Sequence, residues 1–157
     1  MAYKVFLSHA GDDEPLAEAI SEGLEKLNIT VYMYERDEAA GADLPQKLVE
    51  NIRSSDALVA LLTEAAAVSS AVGQEIGVAV AAGIRIVPVL DPDVDFAKFT
   101  MLQGLEFLPL DRDEPSATIL NLTARIANLR HENVVDLIKV GLAIGVMIWF
   151  ARNSEGA

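Results

Sequence analysis

Short apolar runs of strand character alternating with helical hydrophobic periods predict an α/β fold: a doubly wound five-stranded parallel sheet with helices on both faces, plus a hydrophobic C-terminal helix. Two further observations support this. The 157 residues suit one domain, and 52% hydrophobic against 23% charged residues supply a core and rule out disorder. No internal repeat or low-complexity linker interrupts the pattern.

Tyr3 to Ser8 reads as the first strand. Leu16, Ile20, Leu24 and Leu27 then recur on one helical face, with Asp12 or Asp13 as N-cap before Pro15. Thr30 to Tyr34 is the second strand, followed by a polar loop from Glu35 to Asp43. The next helix buries Leu44, Leu48 and Ile52 and exposes Gln46, Lys47, Glu50 and Arg53. Ala57 to Leu62 is an apolar third strand. A helix from Ser70 to Ala82 stops at Gly83, a residue free to take the left-handed conformation of a C-cap. Ile84 to Leu90 is the fourth strand. An Asp-rich segment anchored by Phe96, Phe99 and Met101 leads to a fifth strand from Leu105 to Leu110. Ser116 to Leu129 closes the core through Ile119, Leu122, Ile126 and Leu129.

The 24 acidic against 12 basic residues give a net charge of -12, which repels nucleic acid and anionic lipid. No nucleic-acid partner is expected. The absence of cysteine excludes disulfides, thiolate metal sites and a cysteine nucleophile. His9 and His131 lack carboxylate partners at ligand spacing, so no metal site is expected. Met1 to Lys4 opens on a strand pattern with no apolar signal core, and a cytoplasmic location is expected.

Sheets of this kind bind ligands outside the carboxyl ends of their strands. The residues there are His9 to Asp13, Glu35 to Asp43 and Thr63 to Glu75. A phosphorelay receiver shares the architecture and an acidic pair like Asp12 and Asp13. Its phosphoacceptor aspartate should end the third strand, where this chain has Leu62 and Thr63, with Asp56 at the opposite end. The turn after the fourth strand carries Asp91 in place of a basic residue. Both departures exclude the receiver.

Within Ser69-Ser70-Ala71-Val72-Gly73-Gln74-Glu75-Ile76-Gly77, Glu75 is a lone carboxylate on a helix face with Ala71, Ala79 and Ala82 beside it. Spacing alone reads it first as a solvated surface residue. The run Tyr3-Lys4-Val5-Phe6-Leu7-Ser8-His9-Ala10-Gly11-Asp12-Asp13 resembles the opening box of prokaryotic-type Toll/interleukin-1 receptor (TIR) domains. Glu35 to Leu44, with Gly41, resembles their BB loop; Ile52 to Val59 resembles the passage from helix B into strand C. Ser69 to Gly77 resembles the segment bearing the catalytic glutamate, and Arg85 to Leu90 resembles strand D. The boxes fall in order over residues 3 to 130, leaving 131–157 as a C-terminal tail.

The resemblance implies the flavodoxin-like fold and cleavage of the nicotinamide–ribose bond of NAD, by hydrolysis or cyclisation, in defence or nucleotide signalling. NAD is then a substrate, and no cofactor is expected. Nicotinamide leaves as a neutral molecule, so the general acid of most glycosidases is unnecessary. One carboxylate, Glu75, suffices to stabilise the positive charge developing on the ribose. The resemblance equally admits a non-enzymatic module that recruits other TIR domains.

The remaining candidates carry two readings each. Ser8, His9, Ala10 and Gly11 supply backbone amides near a helix N-terminus that suit a phosphate, or form a turn leading into a helix cap. Arg36 is the only basic residue of the BB-loop segment and suits a diphosphate, or is simply solvated. Ser69 and Ser70 suit a ribose hydroxyl, or cap the helix. Ala71 stands where the family usually has Trp, one turn before the glutamate, and Ala40 where Pro often precedes the loop glycine. The resemblance further implies assembly through the BB loop, with a second copy or another TIR domain as partner; the acidity of that loop makes assembly salt-sensitive.

From Val134 to Ala151, sixteen of eighteen residues are apolar or glycine, interrupted by Asp136 and Lys139. A helix there is about 27 Å long, against a hydrocarbon core of roughly 30 Å. Gly141, Gly145, Trp149 and Arg152 suit a membrane segment. Asp136 argues for packing against protein instead.

Overall fold

The computed structural model describes residues 2–34 and 44–132. The acidic loop Glu35 to Asp43, with Arg36, Ala40 and Gly41, lies outside the described residues, as does the apolar run from Val134 to Ala151. Met1–Leu122 forms one compact unit and Thr123–Ala157 another. In the second unit, residues 123–132 are helical, and Ile126 and Leu129 are buried. Among the described residues no helix is long and apolar enough to cross a membrane.

Strands β1 (Tyr3–Ser8), β2 (Ile29–Tyr32), β3 (Ala57–Leu62), β4 (Arg85–Leu90) and β5 (Leu108–Pro109) form one sheet in the order β2-β1-β3-β4-β5. Every pairing is parallel, as the flavodoxin-like fold requires. The helices are α1 (Glu14–Glu25), α2 (Leu44–Arg53), the short α3 (Glu64–Ala67), α4 (Ser70–Ala82) and α5, residues 115–132. All six residues of β3 are buried, which is why its sequence runs apolar without alternation.

One face of the sheet packs Phe6, Leu58, Ala60, Leu62 and Leu90 against Ile52 of α2 and Val72, Ile76 and Ala79 of α4. On the other face Val5, Leu7, Val59, Leu61 and Val89 are equally buried. Each such aliphatic side chain contributes about 1.5–3 kcal/mol by leaving water. Helix α1 and the start of α5 come together where a Cβ on Gly23 would meet Ile119 Cδ1 at 2.5 Å, so any larger residue there requires the Ile119 side chain to move.

The start of the sheet is tied by reciprocal bonds. Lys4 N donates to Asp56 Oδ2 at 2.8 Å, and Asp56 N donates to the Lys4 carbonyl at 2.8 Å. Asp56 thus sits at the edge opposite the carboxyl ends of the strands.

Several boundaries differ from the sequence reading. Helix α1 ends at Glu25, and Asn28 takes a left-handed φ of 60°, leaving Leu27 half exposed instead of buried. Strand β2 is shorter than Thr30 to Tyr34 and starts at Ile29. Strand β5 contracts to two residues because Leu105 and Phe107 stay exposed on an edge and Pro109 offers no N–H. Helix α3, too short for a hydrophobic period to reveal, fills the turn after β3. In the Asp-rich segment Val94, Phe99 and Leu102 are the buried anchors, whereas Met101 is half exposed.

Candidate functional site

Parallel strands deliver their last residues to one edge, and that edge collects most of the buried polar side chains. Ser8 ends β1, Thr63 follows β3 and Asp91 follows β4. Glu75 reaches the same edge from α4. The helix begins at Ser69, whose hydroxyl accepts a bond from Val72 N at 3.3 Å, and ends at Gly83 with φ 69°. Val72, Ile76 and Ala79 bury one face of it. Glu75 follows on that buried side and is only 5% exposed.

The Ser8 hydroxyl donates to Glu75 Oε2. This is the central contact of the site: a buried carboxylate, held by a hydroxyl, at the carboxyl edge of a parallel sheet. Desolvation makes such a charge costly unless it is hydrogen-bonded, and also makes it act more strongly on a nearby charge.

The loop after β1 brings the other early candidates close in sequence to that pair. Ala10 is buried, and its carbonyl accepts from Asp13 N at 3.0 Å, closing a 3-10 turn over Gly11–Asp13. Gly11 is exposed and its φ is not left-handed, so the turn does not require glycine there. His9 is partly buried, and its Nδ1 has no hydrogen-bond partner among the described residues. Ala71 is partly buried one turn before Glu75. Ser70 is exposed at the first position of α4, while Ser69 takes the cap. Ala79 belongs to the core, and Ala82 is exposed at the helix end.

The expected N-cap role of Asp12 or Asp13 does not hold. Asp13 occupies the N-cap position of α1 without a side-chain cap bond. Its carboxylate accepts instead from Thr63 Oγ1 at 2.5 Å and from Arg112 Nη2 at 3.3 Å. Arg112 Nε donates to Asp91 Oδ2 at 2.6 Å. The guanidinium pKa is raised, chiefly by that bond to Asp91 and further by the charges of Asp91 and Asp13, against an opposing effect of burial. Sequence reasoning missed this network. Asp13 and Arg112 are 99 residues apart, and the available signal was positional: each member directly follows a strand or the turn after one. Among the described residues no group of His, Asp or Glu side chains is arranged to hold a metal ion.

A family model described as TIR domain matches residues 5–122. The fold is similar to the TIR domain of the Toll-related receptor TRR-2 from Hydra magnipapillata, with a TM-score of 0.62 and 17% identity over 82% of this chain and 99% of that one. It is also similar to the CMP N-glycosidase BcmB of Clostridium botulinum, with a TM-score of 0.57 and 19% identity over 78% and 98% of the two chains. The TIR domains of the activated Roq1 resistosome, which recognises the pathogen effector XopQ, align with a TM-score of 0.51 and 20% identity over 85% and 78%. Comparison with curated protein sequences gives no match.

Proposed function

The chain belongs to the TIR domain family, and from that membership we propose that it cleaves the nicotinamide–ribose bond of NAD, by hydrolysis or cyclisation, with Glu75 as the catalytic carboxylate. The observation that carries this reading is the buried Glu75 bonded to Ser8 at the carboxyl edge of the sheet. An N-glycosidase of similar fold supports the type of bond.

The chemistry asks little of the protein. Nicotinamide departs as a neutral base, so no proton donor is needed at the leaving group. Positive charge grows on the ribose as the bond lengthens, and a carboxylate already oriented by a hydroxyl stabilises it without reorganising. Ser8 orients Glu75, and the turn from His9 to Gly11 offers its backbone to the rest of the dinucleotide. Arg36 is proposed to meet the diphosphate, and Ser70 and Ala71 to border the sugar.

Concentrated protein incubated with NAD is expected to release nicotinamide, with a mass spectrum distinguishing linear from cyclic ADP-ribose. CMP serves as the comparison substrate. Undiminished turnover by Glu75→Gln would overturn the role of Glu75, and no release at any protein concentration would overturn the activity.

A second reading, an interaction module for other TIR domains, draws on the exposed apolar side chains Val80, Met101, Leu105 and Phe107. Pull-down of a second TIR domain by protein that leaves NAD intact would favour it.

A further inference from the structure

Four polar side chains from four separate segments meet beside the site, and the proposed chemistry uses none of them. Asp13 follows β1, Thr63 follows β3, Asp91 follows β4 and Arg112 follows β5. Asp13 is 4% exposed and Asp91 8%, so both carboxylates have left water and depend on their partners. Arg112 meets them through two different nitrogens: Nε lies 2.6 Å from Asp91 and Nη2 lies 3.3 Å from Asp13. A planar fork with two directed donors fixes relative position as well as charge, which an ammonium group does not.

Both anchored carboxylates are rigidly attached. Asp91 N donates to the Leu62 carbonyl at 3.0 Å, tying the end of β4 to that of β3. Thr63 holds Asp13 with its hydroxyl while accepting from Ala66 N at 3.0 Å. Asp13 in turn closes the turn on Ala10, a short step along the chain from Ser8. A continuous set of bonds therefore runs from the ends of β3, β4 and β5 to the segment that carries the Glu75 partner.

We infer that Arg112 is a positioning residue, which acts through Asp13 to hold the segment Ser8 to Asp13 where Ser8 meets Glu75 and the turn meets substrate. Its kinetic consequences rest on the proposed NAD reaction; its structural consequences do not. Without the guanidinium, the Asp13 carboxylate keeps Thr63 but loses its counter-charge while buried. The cheapest relief is movement of the turn toward water, away from Ser8 and Glu75.

The test uses Arg112→Gln and Arg112→Lys in the full chain. Amide hydrogen exchange over residues 9–13 is expected to accelerate about tenfold or more in Arg112→Gln, with the interior amides of α4 unchanged. KM for NAD is expected to rise about tenfold with a smaller loss in kcat. Arg112→Lys keeps the charge and the fold but reaches only one carboxylate, so it recovers part of each effect. Should Arg112→Gln fail to fold, Arg112→Lys alone carries the test. Unchanged exchange over 9–13 in the folded variants, or full recovery by lysine, would overturn the inference. Nicotinamide release by the unsubstituted protein is scored separately: its absence refutes the NAD reading, and the exchange data still decide the role of Arg112.

Discussion

Ser8 donates its hydrogen bond to Glu75 across 67 residues of sequence, joining the end of β1 to the middle of α4. The bond turns a helix glutamate that spacing reads as a surface residue into a buried, oriented carboxylate.

Glu75→Gln is expected to lower nicotinamide release by about 100-fold or more, the scale of losing a preorganised electrostatic contact. Ser8→Ala should lose roughly 10–100-fold, since it removes a hydrogen bond to a charged group. Circular dichroism and thermal unfolding on both variants separate these losses from misfolding.

The surroundings of two helix glycines predict different gains from alanine. A Cβ at Gly73 meets nothing within 4 Å, so Gly73→Ala should gain about 0.5–1 kcal/mol from helix propensity. At Gly23 the same change pushes a methyl group against Ile119, whose side chain must shift, so the gain should be smaller than at Gly73. Chemical denaturation of the two variants compares them directly.

Ser69→Ala removes the cap of α4 and should cost about 1 kcal/mol. Thr63→Ala should cost more, because it deprives both Ala66 N and the buried Asp13 carboxylate of a partner. Equal losses for the two variants in urea denaturation would contradict this ordering.

Arg112 has its pKa raised in the folded protein, mainly by Asp91. Stability linked to a raised base is fully present below the unfolded pKa and is lost only as pH climbs through the folded one. For an arginine both lie far on the alkaline side of the neutral range. The destabilisation caused by Arg112→Gln should therefore be the same at about pH 7 and about pH 10. It should shrink in high salt, since 48% of the side chain is exposed. Denaturant midpoints at the two pH values give the answer.

The apolar run from Val134 to Ala151 is expected to drive association of the full chain. Sedimentation should find it larger than a monomer, and a chain ending at Arg130 should associate less. Flotation of the full chain with liposomes would point to membrane attachment instead.

The legible part of the fold is the part built on period. Apolar runs that are buried on both faces, such as Ala57 to Leu62, read directly as strands, and Ser69 and Gly83 mark α4 because capping chemistry is local. Boundaries set by a neighbour were not legible. Strand β5 ends where β4 stops offering partners, and Leu27 is exposed because the chain turns at Asn28. The site divides in the same way. Ordered boxes in the sequence singled out Glu75 and Ser8 separately, but no local pattern says that they bond.

By itself, then, the sequence determined the α/β architecture, which depends on periodicity and caps within short windows, and through the resemblance of its ordered boxes it pointed to the family and the candidate carboxylate. Only tertiary structure decided that Asp13 abandons its cap for Thr63 and Arg112. A buried carboxylate takes the strongest donors within reach, and which donors those are depends on the strand order that brings the ends of β1, β3, β4 and β5 to one edge.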